Sequence, residues 1–467
     1  MSEARGGGTK SGQGTAVGGG SAGAGAPTRA GTLDRLLLPA GVAPAAAPVL
    51  LARALRAFAD GYVAVLLPAY LLALGLGTLE VGIASTATML GSAFATLAVG
   101  TWGHRFARHR LLRAAALLML VTGIGFASAS SFWPLLLVAF VGTLNPSSGD
   151  VSVFLPLEHA TLAGTARGDA RTALFARYSV LGALCAAVGA LASGMPDWIA
   201  GSLGVSPLDA MRAMFVGYGA IGAIVWWLYR RLPGRTGAAE SDGAAPALPG
   251  QAALVDREAD ATRAAATGTE PEAAAPLGPS RAIVVRLAVL FSVDNFASGL
   301  VVHSLLSLWL FEKFDLSLAQ AGQFFFLAGL LSAASQLLSP VVARRIGLLN
   351  TMVFTHMPAN VFMILAAFAP TMPLALGLLL ARSALSQMDV PPRTAYVMGV
   401  VTPAERAAAA SFTAVPKSLA AAVSPSLAGA MLAAGWLAAP LLACGTLKLA
   451  YDLTLWRMFR SHPPRGD

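Results

Sequence analysis

A chain of 467 residues that is 56% hydrophobic and only 12% charged has about half the charge density of a soluble domain, in which roughly 25% of residues are charged. That balance excludes an ordinary soluble globular protein, since the low-charge blocks run past the about 20 apolar residues that cross a bilayer as a helix. The net charge of +9 does not point to nucleic acid, because the Lys and Arg residues sit in short clusters between apolar blocks and form no extended face.

The chain opens with a Gly/Ser/Ala-rich stretch, residues 1–48, that has no apolar core of a signal peptide and reads as a flexible cytosolic tail. Turn signals and charges then mark out twelve predicted helical spans at 49–76, 79–102, 110–130, 133–163, 170–195, 209–230, 282–311, 317–341, 350–369, 372–400, 406–433 and 436–457. No segment shows the strict alternation of a membrane β-barrel. Arg105, Arg108 and Arg110 follow span 2, Arg167 and Arg171 follow span 4, and Arg344 and Arg345 follow span 8. Arg230, Arg231 and Arg281 flank the central connection, and Arg457 and Arg460 end the chain. All these fall on one side of the predicted bilayer, against only Arg212 and Lys313 on the other, which places both termini in the cytoplasm of a multi-pass protein of the cytoplasmic (inner) membrane. The fold class expected is therefore an all-α membrane protein of 12 transmembrane helices in a 6+6 layout, six spans over 49–232 and six over 281–459. A cytosolic linker, 233–280, joins them, and a short tail follows at 460–467.

Ionisable groups at bilayer depth are costly and face a cavity or an opposite charge. On span 1, Arg53, Arg56 and Asp60 share one helix face, with Asp60 about 16 Å along the span. This carboxylate is expected either to titrate or to form a fixed ion pair with a neighbouring arginine. Span 4, "VGTLNPSSGDVSVFLPLEHA", carries Asp150 between Pro146 and Pro156, and Glu158 near its cytoplasmic end. Asp150 is the cavity candidate, while Glu158 is expected to be a gate residue paired with Arg177 or Arg171. The spaced small residues of span 5, "GALCAAVGALASG", permit close helix packing, and Trp226 and Trp227 of span 6 read as interfacial anchors. Span 7 offers Asp294, Asn295 and His303. Span 8 carries the run Phe324 to Phe326, read as packing or lipid-facing surface.

Span 10, "ARSALSQMDVPPRTAY", places Arg382, Asp389 and Arg393 on one polar stripe with Gln387 nearby. Its Pro391-Pro392 pair is expected to break the helix just past Asp389. Lys417 of span 11 is expected to neutralise a cavity acid. The two cysteines, Cys185 and Cys444, read as small buried hydrophobes. The sequence contains no phosphate-binding GxxxxGK[ST] loop and no metal-ligand spacing, so no cofactor, no metal and no enzymatic activity are expected.

The two halves also resemble each other: Arg53, Phe58 and Asp60 of span 1 answer to Arg286, Phe291 and Asp294 of span 7. The stretch "GTWGHRFARHR" places Gly100, Arg105 and Arg108 on the G-x-x-x-D-R-x-G-R-R loop of the major facilitator superfamily, with His104 where that family has Asp. The loop "PVVARRIGLL" repeats it with Arg345 and Gly347. With the six-plus-six layout, the chain resembles that superfamily from span 1 to span 12. The resemblance implies two six-helix bundles related by a pseudo-two-fold axis, substrate binding near mid-membrane, alternating access by rocking of the halves, and a cavity lined by spans 1, 4, 7 and 10. Those are the spans that carry Asp60, Asp150, Asp294 and Asp389. The Gly-Pro pair of many antiporters in that family is missing from span 5.

The resulting expectation is a secondary transporter of a small molecule, acting as a monomer, with protons as the coupling ion and export of a drug or metabolite as the leading direction. Import of an organic anion or sugar by symport, with Lys417, Arg382 and Arg393 facing the substrate, is the alternative. A non-transporting membrane sensor on the same fold is a third.

Overall fold

The computed structural model describes residues 38, 39, 41–147, 152–166, 168–232, 278, 280–402 and 405–460. The first half contains α1 (Ala47–Ala73), α2 (Thr78–Trp102), α3 (Arg108–Ser128), α4 (Phe132–Val141), α5 (Phe154–Ala163), α6 (Gly168–Ala192), α7 (Met195–Leu203) and α8 (Pro207–Arg230). The second contains α9 (Arg281–Gly299), α10 (His303–Phe314), α11 (Leu318–Ile346), α12 (Leu348–Ala367), α13 (Met372–Ser383), α14 (Val390–Val400), α15 (Arg406–Ala433) and α16 (Ala439–Phe459). Among the described residues, seven helical stretches are long and apolar enough to cross a bilayer, and α4 and α13 are shorter apolar helices. Three other long helices carry charges inside the span: Arg53, Arg56 and Asp60 in α1, Lys417 in α15, and Lys448 and Asp452 in α16.

Helix ends follow local chemistry. Ser317 and Gln320 form a capping box at the start of α11. Gly347 sits between α11 and α12 with φ of 85°, a left-handed conformation that a side chain would strain. The turn can therefore be tight only because the second basic loop carries glycine there. Arg231 stacks on Trp227 at 3.6 Å and Arg230 on Trp226 at 4.9 Å, which gives the two aromatic anchors cationic partners at the end of α8.

Within the first half, α1 packs on α6 and α8, and α3 on α8; within the second, α9 packs on α15 and α16, and α12 on α16. The α1–α6 contact depends on small residues. A Cβ at Gly189 would lie 2.0 Å from the Phe58 carbonyl oxygen, and one at Gly61 would lie 2.1 Å from that of Ala186. The glycines of span 5 thus let two backbones approach, as their spacing predicts. Phe324 and Phe325 are buried and pack edge to face, 5.0 Å between centroids, so this part of the aromatic run is packing surface.

The halves meet through α2 with α15 and α6 with α11. Ser85 and Ser304 hydroxyls lie 3.0 Å apart, Thr86 bonds Ser426 at 2.7 Å, the Ser304 amide donates to the Pro146 carbonyl, and Ser193 donates to the Leu318 carbonyl. Ser85 and Thr86 lie near the start of α2, Ser426 near the end of α15, and Ser193 just after α6. Among the described residues, the hydrogen bonds between halves therefore lie toward the side away from the starts of α1 and α9 and the end of α16.

Candidate functional site

Asp60 is the fourteenth of the 27 residues of α1 and sits midway along it. Arg56, one turn earlier, is 2% exposed, yet its guanidinium does not turn to Asp60. It hydrogen-bonds Glu158 of α5 and lies over the Phe154 ring at 3.9 Å. Glu158 is wholly buried and accepts from two more helices: Tyr178 of α6 at 2.5 Å and Tyr229 of α8 at 2.5 Å. A buried carboxylate persists only when its oxygens are satisfied, and three donors from three helices satisfy this one. The expected partners, Arg177 and Arg171, are thereby corrected. Arg177 lies on an exposed face of α6, and Arg56, 102 positions away in sequence, takes the role.

The fixed Arg–Asp pair that span 1 permits is consequently not made. Among the described residues, Asp60 has no hydrogen bond or ion pair, although it is only 9% exposed. Arg53 lies over the Tyr178 ring at 5.1 Å and packs against Gly182.

In the second half the matching acid is surrounded by cations. Asp294 of α9 lies 2.6 Å from Lys448 Nζ of α16 and 2.9 Å from Arg393 Nη1 of α14. Arg393 also bonds Asp389, four positions before it. The Phe291 and Tyr451 rings lie 5.2 and 5.8 Å from the same guanidinium. Behind this cluster, Asp452 of α16 accepts from Asn360 at 3.1 Å and lies 3.0 Å from His356 Nδ1. The lysine at Asp294 is thus Lys448, whereas Lys417 is half-buried on α15. Sequence reasoning missed Lys448 and Asp452, although their i, i+4 spacing in an apolar span was a readable signal.

Three of the four spans assigned to the cavity are discontinuous: α4 and α5, α9 and α10, and α13 and α14 are separate helices. Irregular backbone at membrane depth is tolerated only where protein buries it or it lines a cavity. In span 4 the Asn145 side chain accepts from the Ser147 amide and hydroxyl, at 3.1 and 2.7 Å, and turns the chain after α4. Asp150 lies outside the described residues. In span 10 the break precedes Asp389, over 384–389, and Pro391 and Pro392 stand in the first turn of α14. This corrects the expected break after Asp389. The first helical turn leaves its amides unpaired, so a proline there loses no bond and starts the helix instead of ending it.

His303 begins α10, its ring 5.3 Å from Phe325. The Asn295 amide donates to the Phe291 carbonyl of its own helix at 2.8 Å, so it is turned to the backbone. Gln387 is half-buried in the span 10 break, and Arg382 stands near the end of α13. In the basic loop after α2, Arg108 donates to the Ala160 carbonyl at 3.2 Å and so satisfies a free carbonyl in the last turn of α5. Gly100 is in the last turn of α2, Arg105 is exposed in the following short turn, and the His104 side chain lies outside the described residues. Arg345 is exposed at the end of α11. The site residues therefore separate into a first-half cluster at Glu158, a second-half cluster at Asp294, and Asp60, Arg382 and Gln387 apart from both.

Buried charge clusters in a bundle of broken membrane helices define a membrane transporter. The sequence matches the Major Facilitator Superfamily over residues 49–388, and the chain belongs to that superfamily; it is a transporter and not an enzyme. An uncharacterized membrane protein of Saccharomyces cerevisiae, YJR124C, is 24% identical over 411 residues, 87% of this chain and 92% of that one. A bacterial homologue of the iron transporter ferroportin, in an inward-facing state, has the same fold with a TM-score of 0.66 and 16% identity, covering 88% of this chain and 98% of its own. A D-xylose-proton symporter gives 0.65 and 15%, covering 88% and 97%.

Proposed function

We propose that the chain is a twelve-span, proton-coupled secondary transporter that moves a small molecule by alternating access, with Asp60 as the carboxylate that carries the coupled proton. One observation carries this reading. Of the four described acids placed in spans 1, 4, 7 and 10, Glu158, Asp294 and Asp389 are bonded to arginine or lysine, and Asp60 is not. A carboxylate held by cations gives up its charge only by breaking those pairs. An unpaired carboxylate at bilayer depth can gain and lose a proton as water reaches it.

The hydrogen bonds between the halves give the reading a state. They join the ends away from the termini, which supports a carrier open toward the termini, on the side that the basic loops favour as cytoplasmic. The proton coupling named for the D-xylose symporter of the same fold supports a proton as the driving ion.

The test is a small-molecule profile of cells with and without the protein, each with and without an uncoupler. Export predicts molecules retained at higher level when the protein is absent, and import predicts the reverse. A profile in which no molecule shows an uncoupler-sensitive difference overturns proton coupling.

A further inference from the structure

Arg382 lies ten residues into α13 from Met372, about 15 Å along a helix rise of 1.5 Å per residue and so near the middle of a hydrocarbon core about 30 Å thick. Its Nε is shielded from solvent and has no hydrogen-bond partner. Of the other described arginines with a shielded Nε, Arg56 bonds Glu158, Arg393 bonds Asp294 and Asp389, Arg212 bonds Asp209, Arg171 also has a partner, and Arg53 lies over the Tyr178 ring. The guanidinium of Arg382 has no hydrogen bond and no ion pair with any described residue.

An arginine does not shed its proton to escape burial, so this charge must be met by water or by an anion that enters the site. Two features beside it favour the anion. His303, close enough for the Arg382 charge to act on its ring, starts the 12-residue helix α10, whose N-terminal end carries partial positive charge. Gln387, in the break that follows Arg382, makes no hydrogen bond to a described residue and can donate to the same oxygens.

We infer that the transported molecule bears a carboxylate or phosphate group, and that this group docks on Arg382 at the break of span 10. The inference rests on the transporter reading above but not on proton coupling. A planar guanidinium offers paired donors to a carboxylate or a phosphate, so the class is anionic and the two acids are separated by experiment.

The full-length protein in lipid nanodiscs is titrated with benzoate, succinate and inorganic phosphate, and with benzamide and succinamide as uncharged counterparts. At least one anion is expected to bind ten times or more tightly than the amides, and which one binds distinguishes carboxylate from phosphate. Arg382→Gln is expected to weaken that binding at least tenfold, while Arg382→Lys, which keeps the charge and shows that the fold survives, retains most of it. A wild-type protein that prefers none of the three anions overturns the inference, as does an Arg382→Gln variant, monodisperse in detergent, that binds as well as wild type. Arg382-dependent anion binding without uncoupler-sensitive transport would overturn proton coupling and leave this inference standing. Coupled transport with anion-blind binding would do the opposite.

Discussion

The Asp294 carboxylate and the Lys448 ammonium lie 2.6 Å apart, each about 4 to 5% exposed, and join α9 to α16 across the second half. Among the described residues, the first half has no such pair at its matching acid, Asp60. The two halves share a sequence pattern, Arg53, Phe58 and Asp60 against Arg286, Phe291 and Asp294, but not its electrostatics. One half holds its mid-span acid between cations, and the other leaves it unpaired.

Removing one partner of a buried pair leaves an uncompensated charge, which costs about 3 to 5 kcal/mol. Lys448→Met is therefore expected to lower thermal stability in detergent by a loss of that order, moderated by Arg393. Adding Asp294→Asn should restore more than half of it. A single variant as stable as wild type would mean that the pair is not buried as described.

Glu158 receives Tyr178 and Tyr229 at 2.5 Å each, and a hydrogen bond to a charged group contributes about 1.5 to 3 kcal/mol. Tyr178→Phe and Tyr229→Phe should each destabilise by about that amount. Their double variant should depart from the sum, because both donors share one acceptor. Strict additivity in a double-mutant cycle on melting data would contradict the shared site.

Gly82 of α2 is packed so closely on α15 that a Cβ would lie 2.6 Å from the Pro425 carbonyl and 2.9 Å from Gly429. Gly82→Leu must push the halves apart on the side where they now meet. In a Ser304→Cys background, where the native residue is fully buried, maleimide labelling is expected to become at least severalfold faster. Unchanged labelling would show that this contact does not hold the halves together.

Glu405, just before α15, has its carboxyl pushed down to about 2 from an ordinary 4.5 by hydrogen bonds from Ser280, the Gly278 amide and Thr402. A depressed folded-state value stabilises above the unfolded value and loses that contribution as pH falls toward the folded one. The melting difference between wild type and Glu405→Gln should therefore be constant from pH 8 to 6 and narrow only below about 4.5. A difference that changes between pH 8 and 6 would point to another titrating group.

The family, the membrane character and most helix positions were legible because apolar length and loop charge are local properties of the chain. The spacing of Asp389 and Arg393 placed them on one polar stripe, and the structure bonds them there. The partner of Glu158 was not legible in that way. Arg171 and Arg177 are near it in sequence, but the Arg56 side chain of α1 reaches it from 102 positions away. Pro391 and Pro392 misled for a related reason, since the same residues end one helix or begin the next according to where the preceding turn falls. Lys448 and Asp452 were visible as charges in an apolar span, but only the packing of α16 on α9 and α12 reveals which acids and bases they meet.

Among the described residues, Asp60 is the one of Asp60, Glu158, Asp294 and Asp389 that is not bonded to arginine or lysine, and we assign it the proton. Once a transported molecule is in hand, Asp60→Asn in proteoliposomes should abolish accumulation driven by a pH gradient while leaving exchange of labelled for unlabelled substrate within a few-fold of wild type. Undiminished gradient-driven accumulation by the Asn variant would contradict the account.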